Sequence, residues 1–198
     1  MSSSDIWAIT PSTSATLLRA AATIGSAGSL ALLTNDVSPY GTGYKVLITC
    51  AGDNVGTDFT IVGIKVGDLT GAYTTEVVAG VDTDSASSTN FYTYVASITA
   101  SATSATNVSI GTTGSLALPR TRIKSLYYVG TASAGSIKFN VNSTDGSLLL
   151  QIDTPTSAAS FSDSVTIPDL GILTTRSSKT DFAIMTLTNI TNVTVFCG

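Results

Sequence analysis

Side chains that favour helices are almost missing from this chain of 198 residues. It holds a single glutamate, Glu76, and nine lysines and arginines, against 27 serines and 33 threonines. Long unbranched polar side chains lose little rotamer freedom in a helix, whereas Ser and Thr hydroxyls compete for the backbone and β-branching restricts χ1. A predominantly helical protein is therefore excluded. Disorder is excluded as well, because 43% of the residues are apolar and β-branched residues run through almost every segment. An all-β fold remains.

The chain contains no histidine. That removes the commonest general base and the commonest metal ligand together, so Ser-His-Asp and Cys-His triads and His-containing zinc sites cannot be built. A non-enzymatic protein without a cofactor is expected. Net charge is −4 with a pI near 4.5, which argues against a broad basic surface for nucleic acid. The charges are uneven: residues 1–118 carry three basic against eight acidic side chains, and residues 119–198 carry six basic against five acidic. That asymmetry suggests two modules, although chance scatter of so few charges would produce it too.

Two cysteines, Cys50 and Cys197, each close an apolar strand-like run, GYKVLITC and NVTVFC. Buried reduced thiols are the favoured reading over a disulfide. The opening MSSSDIWAIT has neither a basic n-region nor an apolar h-region, and no run of eighteen apolar residues occurs. The expectation is a soluble protein made in a reducing cytoplasm, with no membrane partner.

Strand signals bounded by Gly, Asn, Asp or Pro predict strands at 29–34, 44–50, 58–66, 73–79, 91–99 and 107–111. A second series follows Leu118-Pro119-Arg120: RIKSLYYVG, GSIKFNVN, SLLLQID, SVTIP, FAIMTLT and NVTVFC. Gly63 interrupts a run that is apolar on both faces, which predicts a bulge or a close strand approach. NSTDG at 142–146 predicts a hairpin turn, and DTDSASSTN at 82–90 reads as a surface connection. The expected organisation is an N-terminal arm (1–25) and two antiparallel β-sandwich modules, jelly-roll or Ig-like, at 26–116 and 117–198. One continuous sandwich is the alternative. Within the arm, ATLLRAAATI fits a short helix or an extended arm.

Few residues are candidates for chemistry. Asp82-x-Asp84 resembles a hard-cation loop but lacks the sharp-turn Gly and the closing Glu, and Asp53 and Asp58 fit turn-forming roles. No pair of carboxylates suits glycoside hydrolysis. The aromatic run Phe91-Tyr92-Thr93-Tyr94 offers a carbohydrate platform or ordinary core. Ile6 and Trp7 are the large apolar groups of the arm, so they are candidate inter-subunit or capsid contacts. Arg120, Arg122, Lys124, Arg176 and Lys179, with Lys138, form a secondary basic candidate.

The succession GTDFTIVGIKVG, TTEVVAGVDT, STNFYTYVASITAS and NVSIGTTG resembles a β-rich module of tailed-bacteriophage structural proteins. The second half, with RIKSLYYVGTASAGSIKFNVN, SLLLQIDTP, SVTIPDLGIL and TLTNITNVTVFCG, is similar to small virion proteins ending in a Thr/Asn/Val-rich strand. The resemblance covers residues 43–198 and carries over no catalytic residue. It implies an accessory capsid decoration or cement protein on the capsid exterior, assembled in the host bacterial cytoplasm. Its partner would be the major capsid protein or another virion protein, and it would be a homo-oligomer, with a trimer favoured. The alternative is a tail fibre or tail-associated module that binds a receptor glycan.

Overall fold

Apolar and polar residues alternate along most of this chain, and where the period of two persists the backbone extends. A computed structural model describes residues 7–11, 13–37, 41–168, 171–174 and 181–198, and the elements named among them are all strands. Ladders between them are antiparallel, and the sheets pack as an all-β sandwich fold. The chain groups into two compact units, Ser12–Leu116 and Ala117–Gly198, the second also taking in the N-terminal strand β1 (Trp7–Ile9).

The unit Ser12–Leu116 contains β2 (Ser14–Ile24), β3 (Gly28–Ser29), β4 (Gly43–Cys50), β5 (Asp58–Lys65), β6 (Thr74–Ala79) and β7 (Ser85–Ala100). It also holds most of β8 (Ser104–Leu118). Strand order is β8-β4-β7-β5-β6, with β2 on β8 and β3 on β7. Tyr44, Val46, Ile48 and Cys50 share the buried face of β4, as the period of two predicts. Phe59, Ile61, Tyr92, Val95, Ile98 and Ile110 complete the core, each fully enclosed.

Gly63 marks a close approach. The β5–β7 register shifts between Val62 and Gly63, and a Cβ at this position would lie 2.4 Å from the Tyr94 carbonyl oxygen and 2.8 Å from the Tyr92 ring. Only glycine lets the backbone of β7 come so near.

The unit Ala117–Gly198 contains β9 (Arg122–Gly130), β10 (Gly135–Val141), β11 (Leu148–Thr154), β12 (Phe161–Thr166), β13 (Ile172–Leu173), β14 (Ala183–Thr188) and β15 (Ile190–Cys197). One sheet runs β1-β15-β9-β12, with β13 also on β9; in the other, β10 lies between β11 and β14. The terminal strand β15 is central, as its apolar pattern predicts, with β1 on one side and β9 on the other. The NSTDG turn joins β10 to β11 with Asn142 at φ 60°, a left-handed conformation that asparagine tolerates.

Several expectations are corrected. SLALLT (29–34) is not a strand beyond Ser29; its backbone bonds irregularly, Leu30 N to Ile98 O at 2.9 Å and Leu33 N to Leu18 O at 2.7 Å. The polar stretch 82–90 is no simple loop, because Ser85–Asn90 form the first part of β7 and Ser85, Ala86 and Ser87 pair with β4. At Pro119–Thr121 the buried Thr174 hydroxyl donates to Pro119 O at 2.6 Å and accepts from Thr121 N at 2.9 Å. Residues 14–24, read as a short helix or an extended arm, form a strand with Leu18 and Ile24 buried.

Candidate functional site

The carboxylates bond to their own surroundings. Asp53 Oδ1 accepts from Val55 N at 2.9 Å, Asp84 Oδ1 from Ser85 N at 2.7 Å, and Asp82 Oδ1 from the Thr83 hydroxyl at 2.8 Å. Asp68 Oδ1 accepts both the backbone N–H and the hydroxyl of Thr70 at 2.7 Å, and these bonds hold its carboxyl below the ordinary range. The Asp53 and Asp68 bonds, to N–H groups two residues on, are Asx turns that use the lone pairs locally. Asp53 and Asp82 meet across an isolated antiparallel bridge. Among the described residues no group of three or more acids, cysteines or histidines gathers with metal-ligand geometry.

The densest polar cluster surrounds the single glutamate. Strand β7 bulges where its pairing with β4 slips between Lys45 and Leu47. There the buried Ser88 hydroxyl takes the place of a backbone carbonyl, accepting from Val46 N at 2.9 Å while donating to Asn90 O at 2.8 Å. The bulge turns the N–H groups of Thr89 and Asn90 out of the ladder, and Glu76 of β6 collects them. One carboxylate oxygen accepts from Thr89 N; the other accepts from Asn90 N at 3.2 Å, Asn90 Nδ2 at 2.8 Å and the Tyr92 hydroxyl at 3.0 Å. Burial by itself would raise the Glu76 carboxyl, but these four donors outweigh it and leave the group below the ordinary carboxylate range. Burial first, then the Glu76 charge and hydrogen bond, push the Tyr92 hydroxyl up. Periodicity finds this glutamate only as a polar residue on a strand; nothing local shows that it serves a bulge formed by residues 89–90.

Arg19 does the equivalent work for carbonyls. Pairing of β2 with β8 shifts repeatedly, and the Arg19 guanidinium donates to Val108 O, to Ala22 O at 3.2 Å and to Thr23 O at 3.1 Å. A planar fork with five donors suits several carbonyls that a slipped ladder leaves over.

The aromatic run forms no exposed platform. Phe91 is 5% exposed and Tyr92 is fully enclosed; paired in succession with Lys45 and Tyr44 they take opposite faces of β7, and both faces are covered there. Lys45 Nζ stands 5.4 Å above the Phe91 ring, a cation–π contact that covers its outer side.

Trp7 lies in β1 opposite Cys197, whereas Ile6, Arg176 and Lys179 lie outside the described residues. Arg120 is exposed; Arg122 and Lys124 are half-buried at the start of β9, and Arg122 Nη1 donates to Gly171 O at 3.5 Å. The β9–β15 register slips beside Lys124, so Ile123 and Leu126 both enter the core. Lys138 lies on β10, away from that stretch in sequence. The Tyr128 hydroxyl reaches Asp163 at 3.5 Å, and Phe161 meets the Tyr128 ring edge-on with centroids 6.3 Å apart.

Cys50 and Cys197 are free and buried, as the strand reading expects. Burial pushes the Cys197 thiol up to about 12, against a weaker opposing hydrogen bond with Thr121. Since the thiolate is the reactive form, the native protein at pH 8 is expected to resist a thiol-directed disulfide reagent and to release two equivalents of chromophore once denatured. Rapid reaction without denaturant would contradict the enclosure of both strands.

The described geometry defines an all-β protein whose lone charged groups repair irregular ladders. No protein-family model matches the chain, and comparison with curated proteins and with solved structures finds no match.

Proposed function

We propose that the chain is a non-enzymatic structural protein of a bacteriophage virion, an accessory decoration or cement protein that binds the capsid exterior as a homo-oligomer. The observation that carries the non-enzymatic part is the employment of Glu76. A general acid or nucleophile needs a lone pair or proton free to meet substrate, and both Glu76 oxygens instead accept donors from the β7 bulge. The virion part is supported by the motif resemblance, whose segments lie mainly on strands β5 to β12, β14 and β15. Dense hydrogen-bonded ladders of short side chains suit a passive part that must persist outside a cell.

The test is immunogold labelling of intact particles, with antibody raised against the purified chain. Label over the head is expected. Label confined to the tail would replace the capsid reading by the tail-associated, receptor-binding one, and particles without label would overturn both. Incubated with peptidoglycan or capsular polysaccharide, the protein is expected to release no reducing sugar; sustained release would overturn the non-enzymatic reading.

A further inference from the structure

Strand β6 ends its sheet and pairs only with β5 among the described strands. Its ladder with β5 is regular over Thr74–Ala79, with no bulge to twist the edge away. Gly80 N donates to Thr57 O at 2.8 Å, which sets the phase of the ladder. Thr74, Glu76 and Val78 aim their backbone groups at β5, and Thr75, Val77 and Ala79 aim theirs away from it. The same three residues are exposed, and Val77 is 56% open to solvent.

Such an edge is a template for another strand, and proteins ordinarily blunt it with charge, proline, a bulge or brevity. The other sheet ends use these devices: β1 spans three residues, β12 carries Asp163 at its middle, and β11 carries Asp153 and a register slip against β10. β6 uses none. Its one charge, Glu76, is drawn onto the β7 bulge and so withdrawn from the edge.

We infer that β6 is a homotypic interface, pairing antiparallel with β6 of a second copy across a two-fold axis at Val77. In that register Val77 faces Val77, and Thr75 faces Ala79 on both sides of the axis. All three positions present outward backbone groups, so each pair exchanges two hydrogen bonds. The facing side chains are small, uncharged and self-complementary, as an isologous contact requires. Tyr73 and Leu69, 62% and 68% exposed, flank the start of the strand and add apolar surface beside the pairing. The inference does not depend on the virion reading.

The experiment is sedimentation equilibrium of the full chain over a range of concentrations, with Val77→Lys and Val77→Pro as variants. The N–H of Val77 points away from β5, so proline removes a bond only from the proposed contact. Wild type is expected to approach twice the 20.1 kDa chain mass. Both variants are expected to weaken the association at least about tenfold with unchanged far-UV circular dichroism. Register is tested separately by oxidation. Facing Cα atoms in a hydrogen-bonded pair lie about 5.5 Å apart, within disulfide range, so Val77→Cys should cross-link. Thr75→Cys should not, because four residues of offset separate the two sulfurs by more than roughly 13 Å. A chain monomeric at every concentration, an oligomer that Val77→Lys leaves intact, or equal cross-linking at 75 and 77 would each overturn the inference.

Discussion

Leu18→Ala is expected to destabilise the unit Ser12–Leu116 by about 2–5 kcal/mol, read as a lower urea midpoint at unchanged slope. The side chain is fully enclosed on β2, so truncation forfeits its transfer free energy and leaves a cavity. The result separates two views of the first 25 residues. An arm awaiting a partner would tolerate the change within about 0.5 kcal/mol, as exposed positions do. A strand of the chain's own sheet cannot, and the buried faces of Leu18 and Ile24 place β2 in that category.

Glu76→Ala is the second large effect, expected at about 2 kcal/mol. It removes the acceptor for the enclosed Tyr92 and for two backbone N–H groups of the β7 bulge, and hydrogen bonds to a charged group contribute about 1.5–3 kcal/mol. Thr89 is exposed, so water recovers part of the loss and the lower half of that range applies. Glu76→Gln keeps one carbonyl oxygen as acceptor and should lose about half as much. The pH dependence has a definite sign. With the native carboxyl held below its ordinary value of 4.5, the contribution is complete above that value and disappears as pH falls through the depressed one. Unfolding midpoints of wild type and Glu76→Ala should therefore differ at pH 7 and converge in acid. A difference independent of pH would show that packing, not the charged acceptor, is what the variant loses.

The polar groups legible as candidates were the loop aspartates; the structure puts Asp53 in an Asx turn, bonds Asp82 and Asp84 to the next residue, and begins β5 at Asp58. The one with the richest environment, Glu76, has no distinguishing local pattern. It sits in TTEVVA like any polar residue of a half-buried strand, and its partners lie thirteen to sixteen positions away on a strand that pairs with a different neighbour. The same holds for Arg19, whose acceptor at Val108 is 89 positions distant.

Composition and the period of two determined the all-β class, the strands β4, β5, β6, β10, β14 and β15, the turn at 142–146, the close approach at Gly63 and the enclosure of both thiols. These properties depend on each residue's own torsional preference and on which face of a pleat it occupies, so they are written locally. Tertiary structure alone decided that 85–90 joins a strand, that 30–34 does not, that 14–24 enters a sheet, and that Phe91 and Tyr92 are both buried. The strand assignments depend on which distant backbone supplies a hydrogen-bond partner and where a register slips, and the burial of both rings on what covers each face of β7. A slip of one residue exchanges the two faces of a strand, and nothing within the strand's own residues records where its neighbour's ladder will break.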